Sequence, residues 1–350
     1  MRIAVTGATG NVGTALLRQL ADEPDIEVVG IARRLPPADT SPYEGVEWHS
    51  IDLGEPSSLE PLTEVFKGVD AVVHLAWQIQ PSQRRARLRR TNLTGTRRVM
   101  CAMRDAGVRK IVYASSVAAY APGPKDRRVD EGWPTTGIGV SGYSADKAAV
   151  EAFLEGCEWD QPDLQLIRLR TALVFQHDAG AQVTRYFLGR HTLRALLGPG
   201  RVRLLPGNRR LRGQVVHADD AARAYVCALR SSARGAFNIA TDPVLDPWMV
   251  AEEVGATVVR TPLMLLRGLT RLAWRLHLVR TEPAWLDLTT AVPLVDCSRA
   301  ERELGWRPGR DAQQTVRELM TGIAEGAGTT SAALRPASSR TRRRLGFNPA

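Results

Sequence analysis

Cysteine and lysine are both scarce in this chain of 350 residues, which has four of each. The cysteines stand far apart, at positions 101, 157, 227 and 297, with no C-x-x-C and no histidine pair beside them. This usage excludes a disulfide framework, predicts no metal site and fits a reducing cytoplasm. No apolar run reaches about 18 residues and no secretory leader is recognisable, so no integral membrane segment is predicted.

Positive charge is plentiful but concentrated. The chain has 47 basic and 37 acidic residues, for a net charge of +10. Residues 84–104 contain eight arginines, and residues 326–350 contain five, with no acid in either segment. Basic surfaces that bind single-stranded nucleic acid carry aromatic residues among the arginines, and residues 84–104 contain none. The composition therefore does not predict a nucleic-acid partner.

Short apolar segments alternate with amphipathic helical segments over the first 175 residues. This alternation predicts an α/β fold with a Rossmann-type, doubly wound parallel sheet. Strands are expected at 2–6, 27–32, 46–51, 70–76, 110–115, 164–175 and 236–240, with helices at 11–21, 57–67, 91–105, 141–155 and 217–230.

After residue 182 most of the chain shows helices and loops rich in Pro and Gly, with little strand character. We therefore predict three parts. A nucleotide-binding domain spans residues 1–182, with 213–242 returning to it. A smaller, mostly helical C-terminal substrate-binding part comprises 183–212 and 243–325. Residues 326–350 are rich in Gly, Ser, Thr, Ala, Pro and Arg, a composition that predicts a disordered basic tail.

A glycine-rich turn lies between the first strand and the first helix. Gly7, Gly10 and Gly13 have the spacing G-x-x-G-x-x-G. In such a turn the first glycine allows a tight bend, the second lets backbone amides approach a pyrophosphate, and the third lets the helix pack closely on the strand. The pattern predicts a dinucleotide site, to which the intervening Thr9, Asn11 and Val12 also belong.

The end of the second strand predicts which dinucleotide is preferred. An acid at this point would bind the free 2′-hydroxyl of NAD, but this chain has Arg33 and Arg34 there. Two cations suit a 2′-phosphate, so we predict a preference for NADP over NAD. Asp52 and Leu53, after the third strand, are expected near the adenine.

A tyrosine and a lysine at Y-x-x-x-K spacing open the helix expected at 141–155. Tyr143 and Lys147 would share one helical face, where the lysine cation can lower the pKa of the phenol. Ser116, at a strand end, is placed to bind a substrate hydroxyl or carbonyl. Together the three residues suit proton transfer coupled to hydride exchange with a nicotinamide.

These motifs resemble those of the extended short-chain dehydrogenases/reductases, in the NAD-dependent epimerase/dehydratase family. The resemblance covers about residues 1–324 and rests on these segments: TGATGNVG (6–13), Asp52-Leu53, HLA (74–76), TNLTGT (91–96), YASSVAAY (113–120), Tyr143/Lys147/Glu151, VHADDAARA (216–224), GAFNIA (235–240) and LGWRP (304–308). It implies that Ser116, Tyr143 and Lys147 are catalytic. It also implies that Leu75 and Ala76 line the cofactor, with Trp77 next to them, and that Asn92 closes their loop. Dimerisation through the helices expected at 91–105 and 141–155 is a further implication.

Departures from the family pattern bear on the reaction. The acid pair that follows the serine or threonine in family dehydratases is replaced here by Val117-Ala118, which disfavours dehydration. The R-P-x-N-V-Y-G motif of sugar-nucleotide epimerases reads RTALVFQ at 170–176, without its proline, asparagine and glycine. Arginines at 201, 203, 209, 210 and 212 can still meet a substrate phosphate, although a solvated loop is favoured.

Three functions follow as alternatives. The first is an NAD(P)-dependent oxidoreductase acting on a hydroxyl or carbonyl of a small-molecule substrate. The second is a nucleotide-sugar epimerase that returns its hydride internally. The third is a non-catalytic dinucleotide sensor, which is disfavoured because both Tyr143 and Lys147 are present. The amphipathic segment 263–278 fits a packing helix best, and cover for an apolar pocket or contact with a membrane surface are its alternatives.

Overall fold

A seven-stranded, fully parallel sheet forms the centre of the computed structural model, which describes residues 1–79, 85–187, 204–278 and 282–337. The strands lie in the order β3-β2-β1-β4-β5-β7-β11. Their bounds are β1 Arg2–Thr6, β2 Glu27–Ala32, β3 Glu47–Ser50, β4 Ala71–His74, β5 Lys110–Ser116, β7 Gln165–Thr171 and β11 Gly235–Ile239. The chain order reverses between β1 and β4, where doubly wound sheets bind ligands at their carboxyl ends.

Helices cover both faces of this sheet. One buried apolar core lies under α1 and α7, and a second lies under α2, α4 and α5. The helices are α1 Asn11–Leu20, α2 Leu59–Phe66, α3 Arg85–Arg89, α4 Thr96–Ala106, α5 Gly142–Asp160, α6 Gly180–Tyr186, α7 Ala218–Arg230, α8 Pro247–Val254, α9 Leu263–Arg275, α10 Pro283–Ala291, α11 Ser298–Leu304 and α12 Ala312–Glu325. A π-helical segment, Arg90–Gly95, joins α3 to α4. Since the inner strands are buried on both faces, their sequences are continuously apolar.

The predicted fold class is confirmed, but the second part of the chain contains more strand than expected. The single strand predicted at 164–175 is wrong, because the chain leaves β7 and begins a separate strand in another sheet. The described residues form three small sheets: β8 Leu173–Phe175 with β10 Gly213–His217 and β12 Thr241–Leu245, β9 Leu204–Gly207 with β13 Thr257–Arg260, and β6 Arg128–Val129 with β14 Leu294–Val295.

The beginning of the predicted disordered tail is ordered, so that prediction is wrong for residues 326–337. The segment turns back on itself after α12, with Leu334 and Ser331 fully buried. The Ser331 hydroxyl donates to the Thr9 carbonyl at 3.0 Å, and the Thr329 and Tyr43 hydroxyls lie 3.2 Å apart. These two buried side chains and the polar contacts hold the segment against the glycine-rich turn. Residues 338–350 lie outside the described residues.

Candidate active site

The glycine-rich turn has the backbone that its sequence predicts. Gly7 has a left-handed φ of +71°, and a Cβ built on it would lie 2.7 Å from the Ala76 nitrogen. A Cβ on Gly13 would lie 2.5 Å from the carbonyl oxygens of Gly7 and Ala8. Gly10 is the N-cap of α1. Because glycine has no side chain, no side-chain cap bonds to the first backbone amides of this helix. These amides and the close backbone approach fit a dinucleotide phosphate.

Other residues of the turn are held by the chain itself. The Asn11 amide donates to the Val174 carbonyl at 2.9 Å and accepts from the Gln176 amide at 2.7 Å. Thr9 offers its carbonyl to Ser331, and Val12 is half-buried beside the core. The turn is therefore joined both to β8 and to the ordered segment after α12.

The residues predicted around the adenosine lie at the carboxyl ends of β2 and β3. Arg33 and Arg34 directly follow β2 and are exposed. An Asp52 carboxylate oxygen accepts from the Gly54 amide at 2.9 Å and stays partly accessible. Leu53 is buried, so its side chain supports the site from beneath and does not face solvent.

The end of β4 brings four predicted residues together. Leu75 and Ala76 follow the strand directly, and the Ala76 amide donates to the Thr6 hydroxyl at 3.3 Å. The Asn92 amide accepts from the Gln78 backbone N–H at 2.8 Å and donates to the Gln78 carbonyl at 3.0 Å. Asn92 thus fixes the loop that carries Trp77, which agrees with its predicted loop-closing role.

Ser116 and Tyr143 meet where β5 ends and α5 begins. Ser116 ends β5 in extended conformation, and its hydroxyl accepts from the Ala118 amide at 3.1 Å. Ser144 connects the two elements: its hydroxyl donates to the Ala118 carbonyl at 2.6 Å and accepts from the Ile138 amide at 2.7 Å. Burial raises the pKa of Tyr143, and its hydrogen bond with Ser116 opposes this shift. The phenol is therefore protonated at neutral pH.

Lys147 lies one helical turn beyond Tyr143 and is buried. Its ammonium nitrogen donates to the Ala114 carbonyl at 2.6 Å and lies 3.6 Å from the centre of a Trp77 ring. Burial lowers the pKa of Lys147 to about 7, and the negative charge of Glu151 opposes this shift. The lysine can thus gain or lose a proton near neutral pH.

Aromatic rings enclose the Tyr143 side chain. Trp285, on α10, stacks on the tyrosine with 5.5 Å between ring centres and 28° between ring planes. Trp77 meets it edge-on at 6.2 Å, and Phe187 meets Trp285 edge-on at 5.1 Å. The Trp77 indole N–H is buried without a hydrogen-bond acceptor among the described residues. The side chains around Tyr143 are therefore mainly aromatic and apolar, and the Trp77 N–H is a hydrogen-bond donor without an acceptor among the described residues.

A buried ion pair lies behind the lysine. The Arg170 guanidinium donates to both Glu151 oxygens at 3.0 Å, and the Ser115 hydroxyl also donates to that carboxylate. Arg170 further donates to the Tyr120 hydroxyl at 3.0 Å. Burial alone would raise the pKa of Glu151, but Arg170 outweighs it and holds this pKa below its usual value. A negative charge is thereby fixed one turn beyond Lys147.

Comparison with known proteins decides the family. The model of the NAD dependent epimerase/dehydratase family matches residues 3–240. The chain belongs to this family. Its fold agrees with that of the Thermus thermophilus UDP-glucose 4-epimerase in complex with NAD, with a TM-score of 0.67 at 22% identity, covering 92% of this chain and 99% of the other. At that identity the likeness shows the fold alone.

Two curated relatives are similar over different lengths. An uncharacterized protein of Mycobacterium tuberculosis, Rv2047c, is 28% identical over 326 residues, which are 92% of this chain but 30% of the relative. This chain thus spans less than a third of that protein. A Stigmatella aurantiaca ketoreductase, named for 4-hydroxy-2-methyl-3-oxo-4-farnesyl-3,4-dihydroquinoline-1-oxide, is 32% identical over 151 residues, 43% of this chain and 44% of the relative.

Within the family, this chain differs at the substrate side of the site. Leu173 stands where the epimerase motif has its asparagine, and its side chain is 50% exposed at the start of β8. Of the arginines noted for a substrate phosphate, Arg212 donates to the Lys125 carbonyl at 2.8 Å, and those at 201 and 203 lie outside the described residues. A leucine thus stands at the position of that asparagine.

Buried polar groups near the site serve structure. The two His74 nitrogens lie 2.6 Å and 2.9 Å from the hydroxyls of Thr6 and Thr96. Burial, and then the charge of Lys147, lower the pKa of His74 to about 3, so the ring is neutral. In the described ranges, no cluster of three or more His, Cys, Asp or Glu side chains is arranged to hold a metal, and no helix is long and apolar enough to cross a membrane.

Sequence reasoning missed Trp285 and Ser144. Trp285 reaches Tyr143 only through the packing of α10, and no spacing rule connects positions so far apart. Ser144 lies inside the Y-x-x-x-K motif, and its role follows from hydrogen bonds to the loop after β5. A serine one residue after the tyrosine was the only available signal.

Proposed function

We propose that this protein is an NADP-preferring reductase that converts a ketone on an apolar, aromatic small molecule into an alcohol. The observation that carries the proposal is the aromatic enclosure of Tyr143 by Trp77 and Trp285. Flat apolar rings stack favourably on such walls, whereas the hydroxyls of a sugar would lose water there without compensation. The exposed Leu173 supports the same substrate class.

The proton chemistry follows from the side chains. Tyr143, protonated at neutral pH because burial raises its pKa, donates its phenolic proton to the carbonyl oxygen. Ser116 donates a second hydrogen bond to that oxygen and orients it. The nicotinamide, when bound, supplies the hydride that adds to the carbonyl carbon, so hydride and proton together give the alcohol.

Lys147 completes the proton relay. Its ammonium group stabilises the tyrosinate left after proton donation, and its pKa of about 7 lets it return a proton to the phenol. Glu151, held by Arg170, favours the charged lysine electrostatically. This direction of transfer suits reduction, because oxidation needs the tyrosine ionised at the start and burial opposes that state.

Two further observations support the proposal. The ketoreductase relative carries a name that describes an aromatic, prenylated ketone, which agrees with an aromatic-lined site. The backbone cradle at Gly7 and Gly13 fits the cofactor phosphates. The residues that would hold the cofactor are Gly7, Thr9, Gly10, Asn11, Val12, Gly13, Arg33, Arg34, Asp52, Leu53, Leu75, Ala76, Trp77, Asn92, Tyr143 and Lys147.

A panel of carbonyl compounds tests the substrate class. We expect turnover of a bicyclic aryl ketone such as tetralone with NADPH, and no conversion of UDP-glucose to its epimer with NADP+ or NAD+. Trp285→Ala should raise the KM for tetralone about tenfold, because about 1.4 kcal/mol of stacking is lost. Trp248→Ala removes a partly exposed tryptophan from α8 and is the matched control. Epimerisation of UDP-glucose with the oxidised cofactor, without net formation of NADPH or NADH, would refute the proposal in favour of the epimerase alternative.

Cofactor preference is a separate prediction. Arg33 and Arg34 are exposed and have no ion-pair partner among the described residues, so both are available to a 2′-phosphate. The double variant Arg33→Ala/Arg34→Ala should weaken NADPH binding by about tenfold or more and leave NADH binding unchanged. Titration of the fluorescence of both reduced cofactors measures this effect.

The matched control is Arg302→Ala/Arg307→Ala, which removes the same charge from exposed positions in and just after α11. It should change neither affinity. Tighter binding of NADH than NADPH by the unmodified protein would show that the two arginines do not set the preference.

A further inference from the structure

Helix α9 carries an exposed stripe of four leucines. Leu265, Leu269, Leu272 and Leu276 follow one another at spacings of four, three and four, which places them on one side of the helix. Their exposed fractions lie between 53% and 59%, and the neighbouring Met264 is 88% exposed. A monomeric soluble surface seldom shows such a continuous apolar strip.

Among the described residues, only a narrow side of α9 packs on the rest of the protein. Leu266 is its one buried residue, and an ion pair of 3.0 Å between Arg267 and Asp287 joins it to α10. The sequence predicted that this segment is a packing helix, and the described residues show packing on the side that carries Leu266. The leucine stripe lies outside this contact, and its exposed fractions make it accessible to a partner.

The same helix is strongly cationic. Arg267, Arg271 and Arg275 recur at every fourth position, and residues 263–278 contain no acid. Arg271 and Arg275 are exposed and, in contrast to Arg267, have no carboxylate partner among the described residues. A stripe of leucines flanked by unpaired arginines has the composition of helices that lie in the interface of anionic membranes.

We propose that α9 docks on the surface of an anionic lipid bilayer, with the leucine stripe entering the headgroup region and Arg271 and Arg275 binding lipid phosphates. A second copy of this chain suits the surface less well, because a two-fold contact along the stripe would bring the arginines of both copies together with no acid on the helix to pair with them. The charge of the helix therefore selects an anionic partner.

The docking helix lies beside the candidate active site. A groove of about 540 Å³ runs between α9, α10 and Val140, which precedes Tyr143 by three residues. Helix α10 also carries Trp285, which stacks on Tyr143. A docked protein would therefore hold the entrance of its site close to molecules dissolved in the bilayer. Docking itself does not depend on the proposed reductase activity.

Co-sedimentation with vesicles tests the docking. The full chain should sediment with vesicles of phosphatidylcholine and phosphatidylglycerol mixed about three to one, and at least about tenfold less with phosphatidylcholine alone. Leu269→Ser/Leu272→Ser and Arg271→Glu/Arg275→Glu should each weaken the binding at least about tenfold. The control Leu35→Ser/Leu204→Ser changes two exposed leucines outside α9 and should bind like the unmodified chain.

Three outcomes would overturn the proposal. The first is an unmodified chain that stays in the supernatant with anionic vesicles. The second is unchanged binding by either α9 variant. The third is a dimer, measured by light scattering without lipid, that Leu269→Ser/Leu272→Ser converts to a monomer, since the stripe would then be an interface between copies. Because all these positions are exposed, the variants keep the fold, which circular dichroism verifies.

Discussion

Replacing Tyr143 with phenylalanine is expected to lower kcat about 10²- to 10⁴-fold while cofactor affinity stays unchanged. The variant keeps the ring that stacks between Trp77 and Trp285, so the enclosure survives. It removes only the hydroxyl that hydrogen-bonds with Ser116 and that we propose as proton donor. Steady-state kinetics with the ketone substrate measure kcat, and fluorescence titration with NADPH measures the cofactor affinity.

Tyr225→Phe is the matched control for this deletion. Tyr225 is fully buried, and its hydroxyl has no hydrogen-bond partner among the described residues. Its removal should leave kcat unchanged, because the hydroxyl lies in the core under α7 and makes no hydrogen bond with Ser116, Tyr143 or Lys147. Turnover by Tyr143→Phe within about threefold of the unmodified protein would contradict the assigned role, given the loss expected for a general acid.

Arg170→Met should destabilise the protein by about 3–5 kcal/mol, because the buried Glu151 carboxylate loses both of its hydrogen bonds from Arg170. The guanidinium makes two hydrogen bonds to Glu151 and others to the Tyr120 hydroxyl and the Glu131 carbonyl. Among the described residues, Arg168 is the other arginine near Glu151, and at 3.6 Å it does not replace these hydrogen bonds. Chemical denaturation at neutral pH measures the change in the free energy of unfolding.

Two further variants distinguish the loss of stability caused by an uncompensated buried charge from the loss caused by replacing any arginine. Adding Glu151→Gln to Arg170→Met should recover part of the stability, because the buried charge is then gone. Arg104→Met breaks an exposed pair with Asp105 and should leave the denaturation midpoint unchanged. Equal losses for Arg170→Met and Arg104→Met would show that the buried network does not stabilise the fold.

The local features of the site could be predicted from the sequence. Gly7 needs a left-handed φ and Gly13 a close backbone approach, and both demands follow from short-range geometry. The spacing of Tyr143 and Lys147 likewise places both on one face of α5. The parallel sheet followed from the alternation of buried strands and amphipathic helices, since that pattern reflects burial on each face.

Features that depend on contacts between distant segments could not be predicted. Trp285 reaches Tyr143 because α10 packs over the site, and the Arg170–Glu151 pair forms where β7 passes α5. Residues 326–337 were predicted to be disordered because composition does not reveal that Leu334 and Ser331 are buried against the glycine-rich turn. One strand was expected at 164–175, but the structure has two, β7 and β8. The sequence does not show this division, because β8 is defined by its pairing with the distant β10.

Isotope transfer tests the proposed reduction most directly. NADPH that carries deuterium in place of both hydrogens at the reactive carbon of its nicotinamide is incubated with the protein and a bicyclic aryl ketone. The account predicts one deuterium in the alcohol for each NADPH oxidised, with transfer lost in Tyr143→Phe and kept in Tyr225→Phe. Label-free product, or conversion of UDP-glucose to its epimer with NADP+ and no net formation of NADPH, would contradict it.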